Sequence, residues 1–132
     1  MKILSAGVII IGDEVLSGRT KDTNSNFIAK KLIESGIKLE QIIVIKDDEK
    51  LIINTVNDFK QKFSYVFTTG GIGPTHDDIT SKSISKAFKK KYVYNKEAYK
   101  ILENYYSKNN FNEGRKKMAR MPEGVKLIYN PL

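Results

Sequence analysis

The chain contains no cysteine. That absence excludes a disulfide framework, a thiolate nucleophile and a zinc site built on sulfur. Any metal must therefore be held by oxygen, with or without the single histidine, His76. Long apolar runs are also missing: the stretch over residues 3–11 is short and broken by Ser5, Ala6 and Gly7. It falls well below the roughly 18 consecutive apolar residues of a membrane span. A secretory leader needs a basic start, an apolar centre and a small-residue cleavage site. Here Gly12-Asp13-Glu14 follows the apolar run directly, so a soluble, cytoplasmic protein is expected.

What is present is a surplus of positive charge, +8 over 132 residues. Such a surplus suits an anionic partner, nucleic acid included. Almost all of it is lysine, placed singly or in short runs such as Lys89-Lys90-Lys91, which is the pattern of solvated helix faces. Nucleic acid is not the expected partner. The length and the 40% of hydrophobic residues suit one domain with a single core.

Residues 2–11 read as a central strand covered on both faces, with Ile9, Ile10 and Ile11 in succession. Residues 13–23 read as a loop leading to a helix that starts near Thr23 or Asn24, with Phe27, Ile28, Leu32 and Ile33 apolar and Gly36 at its end. A second strand is expected over 39–45. Asp47-Asp48 then offers a cap to a helix over 49–62, whose buried stripe is Ile52, Ile53, Val56, Phe59 and Phe63. A third strand over 65–69 leads into a glycine loop and a helix ending near Phe88. Beyond it come a short strand over 92–94, a helix capped by Asn95, a weaker helix over 113–121 halted by Pro122, and a last strand over 125–129. Strands alternating with helices predict an α/β fold: a three-layer α/β/α sandwich with a mostly parallel sheet.

The segment Thr68-Thr69-Gly70-Gly71-Ile72-Gly73-Pro74-Thr75-His76-Asp77-Asp78-Ile79-Thr80 is the strongest local signal. It is a strand-to-helix loop at the carboxyl edge of a parallel sheet, where ligands of such folds bind. Glycines let backbone N–H groups approach an anion, and a helix start adds its dipole. Negative side chains beside a phosphate repel it unless a cation intervenes. The glycines followed by Asp77-Asp78 therefore predict a divalent metal, magnesium by its chemistry. A tight turn with a capping aspartate remains the plainer alternative. The loop matches neither the dinucleotide pattern nor the P-loop, for Gly7 to Gly12 is followed by Asp13-Glu14 where Lys and Ser or Thr are required.

Two further groups fall at the same edge. Asp13, Glu14 and Asn24 could hydrogen-bond a pterin or ribose, or simply build a loop. Asp47 could share a metal with Asp78, or Asp47-Asp48 could only cap a helix. His76 reads as an exposed loop residue, with a ligand or proton-shuttle role as its alternative.

Together these segments resemble the MoaB/Mog molybdopterin-binding family, closest to the amino-terminal domain of the CinA-like proteins. The resemblance rests on Thr69 through Thr75 with Asp77-Asp78-Ile79-Thr80, on Gly12 through Gly18 with Asn24, and on Met121-Pro122-Glu123-Gly124 with Asn130-Pro131. It implies a domain that commonly forms trimers and binds molybdopterin or a nucleotide at the sheet edge. In Mog-like members two aspartates, matching Asp47 and Asp78 here, support magnesium-dependent adenylylation of molybdopterin. In the CinA-like branch related domains hydrolyse the pyrophosphate link of ADP-ribose or similar nucleotides. A non-catalytic pterin-binding or assembly module is the remaining alternative.

The resemblance assigns Asp47 and Asp78 to catalysis and metal binding. Thr69, Gly70, Gly71, Gly73, Thr75, Asp13, Glu14 and Asn24 would contact the ligand. CinA-like sequences continue past Asn-Pro into a small-residue loop of the Gly-Thr-Ala-Pro-Gly kind that helps close the pocket. The sequence here stops at Leu132, so residues 1–132 are expected to form a domain lacking its C-terminal elements.

Overall fold

The computed structural model describes residues 3–130. The expected strand start at Lys2 and the tail residues Pro131 and Leu132 lie outside the described residues. β1 (Ser5–Ile11) has Ala6, Val8, Ile9 and Ile11 at 0% exposure, the burial of a strand covered on both faces. The loop expected after it instead contains a one-turn helix, α1 (Asp13–Leu16).

α2 (Asn24–Glu34) follows. Its start is held by Asp22, not by Thr23 or Asn24: the Asp22 carboxylate accepts from the Asn24 and Ser25 N–H groups at 3.1 and 3.3 Å. Of its expected apolar stripe only Leu32 is buried, while Phe27 and Ile33 are exposed.

β2 (Lys38–Ile45) and α3 (Glu49–Lys62) come next, and Asp48 caps α3 by accepting from the Leu51 N–H at 2.9 Å. β3 (Tyr65–Thr69) completes a parallel sheet of order β2-β1-β3. Because β2 and β3 flank β1 on opposite sides, right-handed crossovers carry α2 to one face and α3 to the other. This gives the helix, sheet and helix layers. Ile9, Ile11 and Ile45 of the sheet meet Ile52, Val56 and Phe59 of α3 and Ala87 of α4 (Thr80–Ala87) in the main core.

The remainder departs further from the periodicity. β4 (Tyr92–Tyr94) and α5 (Lys96–Tyr105) fall where expected, and the Asn95 side chain accepts from the Ala98 N–H at 2.9 Å. α6 (Glu113–Lys117) is shorter than expected, because Arg120, Met121 and Pro122 are strand β5 (Arg120–Pro122), antiparallel to β4. No strand forms over residues 125–129. Among the described residues no helix is long and apolar enough to cross a membrane.

α3 lies so close to β1 that glycine is needed between them. A Cβ on Gly7 would come within 2.6 Å of both the Phe59 and Phe63 rings, and Phe59 is 1% exposed. Gly7→Ala is therefore expected to cost about 1–3 kcal/mol, the usual penalty for overpacking a filled core. Urea unfolding reads this as a lower midpoint at unchanged slope. An unchanged midpoint would mean that α3 stands off from the sheet.

Candidate functional site

The carboxyl ends of the three parallel strands are tied together by backbone and carboxylate contacts. Gly12 donates its N–H to the Ile45 carbonyl at 2.9 Å, which brings the end of β1 to the end of β2. Asp13 and Asp47 then exchange bonds: each backbone N–H donates to the other's carboxylate at 3.2 Å.

The third strand end is the glycine loop, which bends over the other two. Gly70 has φ +90° and Gly71 φ +69°, a region that residues with a Cβ enter only at a cost. Neither has room for a side chain. A Cβ on Gly70 would lie 2.0 Å from the Ile11 carbonyl oxygen, and one on Gly71 2.1 Å from Thr80 Oγ1 and 3.4 Å from Asp47 Oδ1. Thr80, 1% exposed, holds the bend: its hydroxyl donates to the Gly70 carbonyl at 2.9 Å and its N–H to the Gly71 carbonyl at 3.1 Å. The N–H groups of Gly71 and Ile72 have no partner among the described residues.

Asp78 is folded back onto the loop. One oxygen of its carboxylate accepts from the Thr75 N–H at 2.9 Å and the Thr75 hydroxyl at 2.8 Å. Partial burial acts to raise its pKa, but these bonds, the Gly73 N–H and the charge of Lys117 outweigh it, and the carboxyl sits below its ordinary value. Asp47 is shifted the other way. Burial raises it first, and the negative charges of Asp13, Glu14 and Asp78 add to that against the Asp13 N–H. On acidification Asp47 therefore takes up a proton before Asp78 does.

A cavity of about 210 Å³ opens beside the loop. Gly71, Gly73 and Asp78 line it together with Tyr92, Lys117 and Arg120. Asp47 does not line this cavity; it reaches the loop from the sheet side, next to Gly71.

The expected site residues thus divide. Asp13, Asp47, Gly70, Gly71, Gly73, Thr75 and Asp78 converge, and Glu14 is close enough to act on Asp47 by charge. Thr69 ends β3 opposite Ile10. Asn24 is exposed at the start of α2, and no described contact joins it to the loop. The His76 side chain is 93% exposed, its Nε2 3.3 Å from an Asp77 carboxylate oxygen. Sequence reasoning missed Thr80 as the fastening of the loop, and Lys117 and Arg120 as neighbours of Asp78.

The sequence matches the family described as "Probable molybdopterin binding domain" over residues 7–130. The chain belongs to this molybdopterin-binding domain family. Within it the likeness to CinA-like proteins is high. A CinA-like protein from Sulfurihydrogenibium sp. (strain YO3AOP1) is 38% identical over 131 residues, covering 98% of this chain and 33% of that protein. The crystal structure of CinA from Thermoplasma acidophilum, a protein described there as of unknown function, superposes with a TM-score of 0.91 at 30% identity. That match covers 98% of this chain and 77% of the other. The tungsten cofactor synthesizing protein MoaB from Pyrococcus furiosus shares the fold at a TM-score of 0.60 and 21% identity, over 91% of this chain and 70% of that one. The chain spans from 33% to 52% of the length of the first curated relatives it matches.

Proposed function

We propose that this domain binds a phosphorylated pterin or nucleotide, with the phosphate on the glycine loop and a divalent cation, magnesium by its chemistry, directed there by Asp47 and Asp78. One observation carries the reading: two glycines without room for a Cβ bend the loop over the strand ends and leave the N–H groups of Gly71 and Ile72 unpaired beside a cavity. Backbone N–H groups without partners at a sheet edge suit an anion.

The residues present fit a cation that arrives with its ligand. Among the described residues no group of three or more histidine or acidic side chains could hold a metal. Magnesium does not require one, since it commonly takes one or two carboxylates and completes its shell with substrate phosphates and water. Burial is the main cause that raises the Asp47 pKa, and the charges of Asp13, Glu14 and Asp78 add a repulsion of the kind that a cation relieves. Bound there, magnesium would screen the carboxylates from the phosphate and polarise its oxygens. Asp78, kept ionised by Thr75, remains available to the cation at a pH where Asp47 has begun to protonate.

Molybdopterin is the ligand that family membership favours. The CinA-like relationship favours a second reading, metal-dependent cleavage of the pyrophosphate link in ADP-ribose or a related dinucleotide. Both place a phosphate on the same loop, and substrates separate them. The chain is incubated with magnesium and either ADP-ribose or FAD, or with ATP and molybdopterin, and the products are resolved by chromatography. AMP released from ADP-ribose or FAD supports the pyrophosphatase, and adenylylated molybdopterin the transferase. If none of these compounds binds or reacts, with or without magnesium, the phosphate-site reading is wrong.

A further inference from the structure

Carboxylates at the strand ends repel a phosphate, and the cation invoked above is one answer to that. The cavity contains another. Together with Gly71, Gly73 and Asp78 it is lined by Lys117, the last residue of α6, and by Arg120 of β5. We propose that Lys117 and Arg120 form an anion-binding wall that holds the ligand's phosphate without requiring a metal. This deepens the reading of the glycine loop as a phosphate site and rests on it.

Both side chains are fixed in place, unlike solvated surface lysines. Lys117 is half-buried, and its ammonium group donates to the Thr75 carbonyl, within the loop that also holds Asp78. Its charge is one of the influences that keep the Asp78 carboxyl ionised. Arg120 lies over the Tyr92 ring at 4.2 Å and the Tyr94 ring at 5.4 Å, and one terminal nitrogen donates to the Tyr92 carbonyl at 3.1 Å. Its backbone is registered against the first turn of α4, because the Ser81 hydroxyl donates to the Arg120 carbonyl at 3.1 Å. Arg120 Nε is shut off from solvent and has no partner among the described residues.

A guanidinium offers a planar fork of donors matched to phosphate oxygens, and Arg120 brings one to the lining of the cavity. A second cavity, of about 390 Å³, shares Asp78, Lys117 and Arg120 with the first and adds Lys82. The two basic residues therefore line both cavities, as Asp78 does. The acidic groups Asp13, Glu14, Asp47 and Asp78 and the two held cations Lys117 and Arg120 thus meet around the glycine loop.

Calorimetric titration of inorganic pyrophosphate into the full chain, once in EDTA and once in magnesium, tests this. Saturable binding is expected in EDTA. Lys117→Gln and Arg120→Gln are each expected to weaken it by about tenfold or more, the scale of a lost charge-assisted bond. Lys117→Arg should keep most of it, whereas Arg120→Lys, which keeps the charge but loses the planar fork and the stacking on Tyr92, should keep only part. Glutamine retains an N–H donor for the Thr75 carbonyl, so a lysine that served only to brace the loop would tolerate the change. Binding by the unsubstituted chain in magnesium but not in EDTA, or glutamine variants that bind like it, would overturn the wall and leave the glycine-loop site standing. No binding in either buffer would remove the phosphate site itself, and the wall with it.

Discussion

Replacing Asp78 with asparagine is expected to reduce metal-dependent turnover by on the order of 100-fold or more, the scale on which single charge-stabilising groups act in active sites. The fold should survive. The Asp78 oxygen that accepts from the Thr75 N–H and hydroxyl has a counterpart in the asparagine carbonyl, so the loop keeps both of its ties. What disappears is the negative charge that would direct a cation to the phosphate. Removing that charge also removes the smallest of the three repulsions acting on Asp47, so a small fall of the Asp47 pKa is expected. The Asp47 carboxyl titration, followed by NMR, reads that shift independently of any reaction. Unchanged turnover would sink the catalytic assignment.

Where burial and periodicity agree, the sequence foretold the structure. α3 runs over the expected residues, since Ile52, Val56 and Phe59 recur at helical spacing and Asp48 marks the start. β1 was legible because a strand covered on both faces must be apolar throughout. The glycine loop and Asp78 were legible because backbone approach demands glycine, whatever the ligand.

Of the apolar side that the sequence offers for α4, Ile79 and Ile84 pack against the core, Ala87 lies in it and only Phe88 does not, but the helix also buries polar residues that the pattern does not mark. Its buried residues are Thr80, Ser83, Ser85 and Ala87, which read as polar, while Phe88 at its end is exposed. The two serine hydroxyls are satisfied along the helix, Ser83 donating to the Ile79 carbonyl at 2.8 Å and Ser85 to the Ser81 carbonyl at 2.9 Å, while that of Thr80 donates to Gly70 in the loop. With their hydrogen bonds made locally, small side chains let α3 and α4 pack closely.

The cationic side of the site was hidden for a different reason. Arg120 and Lys117 lie in a stretch whose local pattern suggests one helix. Only the pairing of β5 with β4, a contact between distant parts of the chain, turns Arg120 toward Tyr92. Asp13 and Asp47 likewise meet through bonds spanning 34 positions, which spacing alone does not reveal.

Gly71→Ala is expected to destabilise the chain by roughly 2–5 kcal/mol, from about 1–2 for a left-handed residue with a Cβ and about 1–3 for overpacking. The second part arises because the new methyl would lie 2.1 Å from Thr80 Oγ1, in a side chain that is buried and bonded to the Gly70 carbonyl. Gly18 separates the two contributions. It has φ +80°, yet a Cβ there meets nothing within 4 Å, so Gly18→Ala should cost only the conformational part. Urea unfolding of the two variants isolates the steric share, which is the tightness with which Thr80 closes the loop. Pyrophosphate binding should fall with Gly71→Ala, because moving Thr80 releases the Gly70 carbonyl and swings the Gly71 N–H away from the cavity. It should not change with Gly18→Ala. Equal stability losses in the two variants would mean that the loop is not clamped, and that its unpaired N–H groups are not preorganised for an anion.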